Sequence, residues 1–378
     1  MKKNFIIIIS LFLLTACSSE TKPTSAGQEE KDTVVSFMGV GDNLIHDTIY
    51  KDALNDDGVY DFKKMYKDIR KDIKDADISF INQETIIGGS ELGLSGYPSF
   101  NSPSELAKNL NELDFNLVNL ATNHSLDRST NGINNALSTF NKYPNIVSDG
   151  IYSSQEDYDT IKTFKKKGIT FSFISYTYGT NGIQAPNDYN VRYFNDDLIK
   201  SDIEKAKKIS DVIIVSAHWG DENQFAPNDY QKHYAQLFAD LDVDVVIGTH
   251  PHVIQPVEKL KGANGNETLV VYSLGNYIGG MLTTNNAISG MISFDFVKEA
   301  SSDDINIKNI KWTPLIIHFE GDQNDILNKR YNYKTYKLEN YTDKLASKHV
   351  LNGYEGNVVS IDYIKKITQE VIDSKFLK

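Results

Sequence analysis

Five stretches of the chain are mostly apolar without a regular alternation of polar residues, and each is followed within two residues by a polar residue. These stretches are 33–40, 78–81, 115–121, 211–217 and 243–247. A strand that is buried on both faces carries apolar side chains on both, so mostly apolar runs without alternation predict the strands of a covered sheet. Helical spacing occupies about 61–74, 129–141 and 229–241 between them. The alternation of the two patterns predicts an α/β fold.

Oxygen and nitrogen donors follow all five predicted strands. The donors, in chain order, are Asp42, Glu84, Asn123 with His124, His218, and His250 with His252. In open α/β sheets, functional sites lie at the carboxyl ends of the strands. Each residue alone has an ordinary structural explanation, because Asp and Asn form turns and a histidine can be a hydrogen-bonded core residue. Five such strand ends in one chain together predict a single metal-binding rim.

A mixed set of carboxylate, amide and imidazole ligands suits Mn²⁺, Fe or Zn²⁺ better than Ca²⁺, which prefers oxygen alone. The chemistry that such a set supports is two-metal hydrolysis, in which a pair of divalent ions clamps a phosphoryl oxygen and activates water. Histidines that bind no metal can protonate a leaving group. We therefore expect two divalent ions at the rim.

The charge balance excludes one class of partner. Asp and Glu number 51 against 39 Lys and Arg, which gives a formal net charge of −12. A chain this acidic is not expected to bind nucleic acid, because phosphates would be repelled. A phosphate substrate is still compatible with this charge, since a bound divalent ion reverses the local field.

The first residues are typical of a targeting segment. A basic start, an apolar stretch from Phe5 to Leu14 and the sequence Leu14-Thr15-Ala16-Cys17 resemble the bacterial lipobox. We expect residues 1–16 to be a lipoprotein signal peptide and Cys17, the only cysteine, to be lipidated. An ordinary secretory peptide is the alternative. Residues 17–32 are polar and predict a flexible tether to the extracytoplasmic face of the cell membrane.

Six segments resemble a known family in their amino-acid sequences and in their order along the chain. They are FMGVGDNLIH (37–46), ISFINQET (78–85), LVNLATNHSLD (117–127), VIIVSAHWGDE (212–222), VDVVIGTHPHVIQPVE (243–258) and VVYSLGNYI (270–278). Together they resemble the calcineurin-like metallophosphoesterase superfamily, and within it the CapA or PgsA-type proteins of poly-γ-glutamate capsule synthesis. The resemblance implies a four-layer αββα sandwich of two mixed sheets.

The resemblance also implies a role for each donor. Asp42 and His252 would bind a first metal ion, Glu84 would bridge two ions, and Asn123, His218 and His250 would complete the second. His124 would face the substrate as an acid. Three positions depart from the usual motifs. His46 stands four residues after Asp42 and is the nearest candidate for the usual histidine ligand, Glu84 replaces an aspartate, and Ser125 follows His124 with Asp127 close by as the acidic partner.

The remaining predictions concern the walls of the site and the domain limits. The Gly-, Pro- and Asn-rich segment 179–190 predicts a long loop that overhangs the rim. Trp219, Glu222 and Asn276 are predicted to bind substrate, although aromatic residues near strand ends are usually core and Asn276 fits a turn equally well. His233, His318 and His349 are predicted to be structural. We expect one main domain over 33–318 and a C-terminal extension over 319–378 that packs on it or binds partners.

Three functions from different classes follow. The first is an accessory protein of a membrane-bound capsule synthase, whose metal site holds or processes an anionic polymer such as poly-γ-glutamate. The second is a metal-dependent phosphoesterase that acts on a phosphate ester of the cell envelope. The third is a scaffold that recruits the synthase without catalysis. The residues themselves predict the metal rim, whereas the capsule assignment comes from the resemblance.

Overall fold

The structure, a computed structural model, describes residues 31–300, 302 and 304–377. The strands are β1 Thr33–Asn43, β2 Ile78–Asn82, β3 Leu117–Asn119, β4 Val147–Asp149, β5 Lys162–Lys166, β6 Ile169–Thr177, β7 Val212–His218, β8 Val245–Thr249, β9 Val257–Lys261, β10 Glu267–Val271, β11 Asn276–Ile278, β12 Ile288–Lys298, β13 Ile305–Gly321 and β14 Arg330–Lys337. The helices are α1 Asp47–Ala53, α2 Arg70–Asp75, α3 Glu105–Glu112, α4 Ser129–Phe140, α5 Gln155–Asp159, α6 Asp196–Lys207, α7 Asp229–Asp240, α8 Thr284–Ala287, α9 Asp343–Ala346 and α10 Ile361–Val371. Short 3-10 turns lie at Lys63–Tyr66, Ser90–Leu92, Gln323–Asp325, Leu338–Asn340, Tyr354–Gly356 and Ser374–Phe376.

The strands form two mixed sheets. The first has the order β14-β13-β12-β1-β2-β3-β4, with β11 pairing beside the end of β1. In it β1 to β4 run parallel, and β12 to β14 add three antiparallel strands. The second has the order β5-β6-β7-β8-β10-β9, in which β6, β7, β8 and β10 are parallel and the two edge strands are antiparallel. Both sheets are therefore mixed, as predicted.

The two sheets face each other across a common apolar core. The ring of Phe80 in β2 lies 6.2 Å from that of Phe173 in β6, and the ring of Phe171 lies 5.1 Å from that of Phe296 in β12. Helices α3 and α4 add buried leucine, isoleucine and phenylalanine side chains to the same core. A second apolar cluster joins α6 and α7 to the other face of the second sheet. The predicted αββα sandwich is confirmed.

The central strand β7 explains why its sequence is apolar without alternation. Val212 and Ile214 lie in the core between the sheets, whereas Ile213 and Val215 lie in the cluster beneath α6 and α7. Successive side chains of a strand point to opposite faces, and here both faces are covered. The same alternation decides which residues at the end of β7 reach the rim.

The C-terminal residues share the main core. Strand β14 is the edge of the first sheet, and Tyr333, Ile364 and Phe376 are buried in that core. The boundary predicted between 318 and 319 falls inside β13, so the sequence change at this point does not correspond to a break in the fold. A strand that continues the sheet keeps the chain in the domain regardless of its composition.

The predictions for the start of the chain concern residues outside the described ones. The signal peptide 1–16, Cys17 and nearly all of the tether 17–32 lie there. In the part of the chain that the structure describes, no helix is both long enough and apolar enough to span a bilayer.

Candidate metal centre

The site lies where the carboxyl ends of strands from both sheets meet. Asp42 in β1 is in register with Asn82 in β2, and Glu84 follows two residues later. In the other sheet, His218 at the end of β7 is in register with Thr249 at the end of β8. Parallel neighbours end at the same edge of a sheet, so donors scattered over more than two hundred sequence positions converge.

Glu84 lies at the centre of the site. Its carboxylate Oε1 is 3.5 Å from His252 Nε2 and 3.8 Å from His218 Nε2, and these two histidines come from different elements. The side chain is buried, and neither oxygen has a hydrogen-bond partner among the described residues. Burial raises the pKa of Glu84 well above its usual range, an effect that His252 opposes and Asp42 reinforces. A buried carboxylate without donors is costly unless a cation binds it.

Glu84, His250 and His252 bring three potential metal-ligand atoms close together. One ligand atom from each lies within 4.8 Å of those of the other two, and all three side chains are buried. Nδ1 of His250 has no hydrogen-bond partner among the described residues. Burial and the neighbouring histidines lower the pKa of His250 well below its usual range, which keeps the ring neutral, the form that binds metals.

The turn that carries both histidines is strained. His250 has φ of 97° and His252 has φ of 58°, in a region that L-residues rarely adopt. Strain of this kind costs about 1–3 kcal/mol per residue and clusters at functional sites. The close packing of Gly248 explains part of the path, because a Cβ there would lie 2.0 Å from the carbonyl oxygen of Tyr272.

His252 is oriented by two oxygen atoms. Its Nδ1 lies 2.9 Å from Asn276 Oδ1 and 3.1 Å from Asp42 Oδ2, and this leaves Nε2 facing Glu84. Burial alone would lower the pKa of His252, but the charge of Glu84 and the hydrogen bond to Asp42 raise it to about 10. Asn276 was predicted to bind substrate. It is fully buried against His252, so it positions that ring instead.

A second group of donors surrounds His218. Asn123 Oδ1 lies 3.0 Å from His218 Nε2, and Thr249 Oγ1 lies 3.0 Å from His218 Nδ1. Ligand atoms bound to one octahedral ion at about 2.1 Å lie about 3 Å apart, so the amide oxygen and Nε2 fit a common ion. Burial lowers the pKa of His218 well below its usual range. Thr249 orients the imidazole ring through Nδ1, the nitrogen on the opposite side from Asn123. Metal-binding histidines are commonly oriented by a hydrogen bond of this kind at their other nitrogen.

His124 and Asp127 form a pair beside the donors. Nδ1 of His124 lies 2.7 Å from Asp127 Oδ2, which also accepts a hydrogen bond from the backbone N–H of Phe100. The carboxylate fixes the imidazole in one orientation, which suits a general acid or base. The structure thus brings the two predicted catalytic residues together.

His46 does not join the donor cluster. Its Nδ1 lies 3.0 Å from the backbone N of Gly280 and 3.1 Å from the carbonyl oxygen of Leu44, and the ring of Phe100 packs against both His46 and His124. Burial is the main cause that lowers the pKa of His46 to about 4. Four residues after Asp42 the chain has left β1 and caps α1, so the predicted ligand role of His46 does not fit its position.

Trp219 also differs from its prediction. It is fully buried, its ring lies 5.9 Å from that of Phe194, and its indole N–H donates to the carbonyl oxygen of Tyr272. Since His218 faces the rim, the next side chain of the strand must face α6 and α7. Trp219 therefore cannot contact a substrate. Glu222 is exposed, and its charge is among the causes that raise the pKa of His252, so it borders the rim.

Sequence reasoning did not single out four residues of the site, although one of them, Asn181, lies in the segment 179–190 that was predicted to overhang the rim. Asn82 Nδ2 donates to Asp42 Oδ1 at 2.7 Å, and Asn119 Nδ2 donates to Asn82 Oδ1 at 2.6 Å. Both asparagines end strands in register with Asp42, and this register was the signal that could have identified them. Tyr178 and Asn181 follow β6 on the same rim. The Tyr178 ring lies 4.6 Å from that of His250, and burial raises the pKa of Tyr178 to about 12.

Comparisons with known proteins give one family and a set of distant structures. The sequence profile of the bacterial capsule synthesis protein family PGA_cap matches residues 36–281, which include every candidate metal ligand. The chain is 28% identical over 216 residues to the PGA biosynthesis protein CapA of Bacillus subtilis, covering 57% of this chain and 54% of that protein. It is 26% identical over 196 residues to the capsule biosynthesis protein CapA of Bacillus anthracis, covering 50% and 46%.

The chain thus spans about half the length of the curated relatives it matches. Among solved structures, a novel phosphatase from Mycoplasma pneumoniae has a TM-score of 0.49 at 11% identity, covering 75% of this chain and 94% of that one. A hypothetical protein from Thermus thermophilus has a TM-score of 0.44 at 14% identity, covering 74% and 98%.

Proposed function

The chain belongs to the bacterial capsule synthesis protein family PGA_cap, and on that basis we propose that it is a membrane-anchored, extracytoplasmic component of capsule synthesis or export. Its rim binds divalent metal ions that hold or process an anionic polymer. The relative in Bacillus subtilis is a PGA biosynthesis protein, which supports poly-γ-glutamate as the polymer. Lipidated Cys17 anchors the protein beside the membrane-bound synthase subunits.

The observation that carries this proposal is the environment of Glu84. Its two carboxylate oxygens lack hydrogen-bond partners among the described residues, although the side chain is buried between His218 and His252. Protein interiors satisfy buried carboxylates with N–H donors or with cations. The pKa of His218 and that of His250 are lowered, so these rings are neutral, and neutral imidazoles beside a carboxylate that accepts no hydrogen bond suit a divalent ion.

Two ions account for the donors best. Asp42, Glu84 and His252 would hold the first ion, and Glu84, Asn123, His218 and His250 would hold the second. The mixed nitrogen and oxygen donors favour Mn²⁺, Fe or Zn²⁺. When bound, such ions polarise a phosphoryl or carboxyl oxygen and make hydroxide available near neutral pH.

The net charge of −12 opposes the approach of a polyanion, and a cation bound at the rim would offset this repulsion. A bound divalent ion reverses the field locally, whatever the charge of the whole protein. Poly-γ-glutamate carries one carboxylate per residue, and each carboxylate can serve as a ligand at an open metal position.

The proposal is tested by metal content and by complementation. We expect the purified full-length protein to contain stoichiometric transition metal, and Glu84→Gln to lose it. In cells that lack the gene, the wild type should restore surface polymer and Glu84→Gln should not. His233→Gln changes an exposed histidine on α7 and serves as the matched control that retains both properties. A metal-free protein that restores normal capsule would leave the scaffold function in its place.

One observation supports a second candidate function, that of a metal-dependent phosphoesterase. His124 is held by Asp127 at 2.7 Å beside the metal donors, in the arrangement of an acid that protonates a leaving group. Mn²⁺-loaded protein should then hydrolyse a generic phosphodiester or phosphomonoester, and His124→Gln should reduce turnover by about 10²-fold or more while metal content is unchanged. Absence of turnover with Mn²⁺, Fe²⁺ and Zn²⁺ would count against hydrolysis and leave polymer holding as the role.

A further inference from the structure

Tyr178 is a solvent-facing side chain at the candidate metal centre. Its ring packs on His250 at 4.6 Å between centroids and lies nearly parallel to that of His218 at 6.4 Å. Tyr178 is 40% exposed, whereas both histidines are buried. A molecule that reaches the metal donors from solvent at this side of the rim must pass the tyrosine.

The backbone around Tyr178 is fixed. Its N–H donates to the carbonyl oxygen of His218, and the preceding Thr177 exchanges backbone hydrogen bonds with Arg192 and Phe194. The segment after it is also tied down, because Thr180 Oγ1 donates to the carbonyl oxygen of Ile183 at 2.6 Å. The backbone that carries the phenol is therefore fixed before any ligand arrives, so little backbone freedom is lost when a ligand binds.

The surroundings of Tyr178 include the amides of two asparagines on the same rim. Asn123 Nδ2 donates to Asn181 Oδ1 at 3.2 Å, and Asn123 Oδ1 lies 3.0 Å from His218 Nε2. A phenol hydroxyl carries one proton, which it can donate to an acceptor oxygen of a ligand.

We infer that Tyr178 is a substrate-binding residue that donates its hydroxyl proton to an anionic oxygen held at the metal centre. The inference rests on the proposed function, because it requires an anion at the rim. Carboxylate and phosphoryl oxygens share the necessary chemistry, as both accept a short hydrogen bond from a phenol. Tyr178 adds specificity for an anion whose second oxygen extends from the ions towards solvent.

The experiment measures anion binding to the full-length, Mn²⁺-loaded protein by titration calorimetry, with inorganic phosphate and glutarate as separate probes. Tyr178→Phe removes only the hydroxyl and keeps the ring on His250. The matched control is Tyr230→Phe, because Tyr230 is similarly exposed at 37% but lies on α7. We expect Tyr178→Phe to weaken binding of at least one probe by about tenfold, and Tyr230→Phe to leave it unchanged. The probe that responds distinguishes a phosphoryl from a carboxylate ligand.

Metal content is measured on the same samples. Unchanged Mn²⁺ stoichiometry with weakened anion binding in Tyr178→Phe supports the inference. Equal anion affinity of Tyr178→Phe and wild type overturns it and leaves the proposed function intact. Loss of Mn²⁺ from Tyr178→Phe also overturns it, because the tyrosine would then support the metal and not the ligand. If Mn²⁺-loaded wild type binds neither probe, anion holding at the rim fails together with this inference.

Discussion

Asp202 and Glu84 are both buried carboxylates, at 1% exposure each, but only Asp202 has a guanidinium beside it. The guanidinium of Arg192 forms an ion pair with Asp202, and its Nε donates to the hydroxyl of Tyr152 at 2.8 Å. Glu84 has histidines nearby, but neither of its oxygens accepts a hydrogen bond from the described residues. The polar groups of the first cluster are paired within the chain, whereas the carboxylate of the second is not hydrogen-bonded.

The two clusters also differ in what surrounds them. Around Arg192, the carboxylate of Asp149 accepts from the hydroxyl of Tyr152 at 2.8 Å and from the backbone N–H of Ser175 at 2.9 Å. Arg192 also holds the loop that begins at Tyr178, through its backbone bond to Thr177. A satisfied buried network fixes one conformation. Burial of charge alone therefore does not mark a binding site, and Glu84 differs from Asp202 in that neither of its oxygens accepts a hydrogen bond from the described residues.

The strongest change in stability should come from removing the internal cation. Arg192→Met leaves Asp202 buried without its partner, and we expect the free energy of unfolding to fall by about 3–5 kcal/mol. Denaturant unfolding of the metal-free protein measures this loss of stability. The control is Lys205→Met, because Lys205 lies 3.7 Å from the same carboxylate but is 46% exposed at its side chain, so its loss should cost less than about 1 kcal/mol. Equal costs for the two variants would remove the distinction drawn between the clusters.

The next strongest change in the free energy of unfolding should come from adding a divalent metal ion. Mn²⁺ at about a hundred times its Kd should raise the free energy of unfolding of the wild type by about 2.7 kcal/mol, if it binds only the folded state. His250→Ala should abolish this gain, since Nδ1 of His250 has no intramolecular hydrogen bond among the described residues to lose. Thermal unfolding with and without Mn²⁺ measures both. His233→Ala, at an exposed position, should keep the full gain; a gain retained by His250→Ala would contradict the assignment.

A smaller gain in stability is expected when Glu84 is neutralised in the absence of metal. Without metal, Glu84→Gln removes an unpaired buried carboxylate, so the metal-free protein should become more stable by about 1 kcal/mol at pH 8. Glu222→Gln, at an exposed position, should change stability by less than about 0.5 kcal/mol. Urea unfolding of chelator-treated protein measures the difference. A clear loss of stability in Glu84→Gln would mean that the carboxylate is already satisfied.

The weakest change concerns pH. Burial raises the pKa of Asp149 above its ordinary value of 3.8, although Arg192 opposes the shift. A carboxyl whose pKa is higher in the folded than in the unfolded state loses stability as the pH rises through that interval, because ionisation is then less favourable in the fold. Asp149→Asn should therefore equal the wild type below about pH 4 and gain relative stability as the pH rises above it. Unfolding measured from pH 3 to 8 tests the trend, and a gain that shrinks with pH contradicts it.

The pattern along the chain predicted an α/β fold, the family resemblance implied the sandwich of two mixed sheets and a place among capsule synthesis proteins, and these are confirmed. Mostly apolar runs without alternation favour doubly covered strands, and parallel strands in such sheets end at one edge. This is why donors at the ends of β1, β2, β7 and β8 could be assigned to one rim before their contacts were known.

The contacts of each side chain at that rim required the folded arrangement. Because side chains alternate along a strand, the sequence predicts that His218 and Trp219 face opposite sides. It does not predict which of the two sides is the rim. It took the packing of both sheets to bury Trp219, to turn Asn276 onto His252 and to bring Tyr178 onto His250. These contacts join residues far apart in the chain, and the residue pattern along one strand carries no information about the partner that faces it.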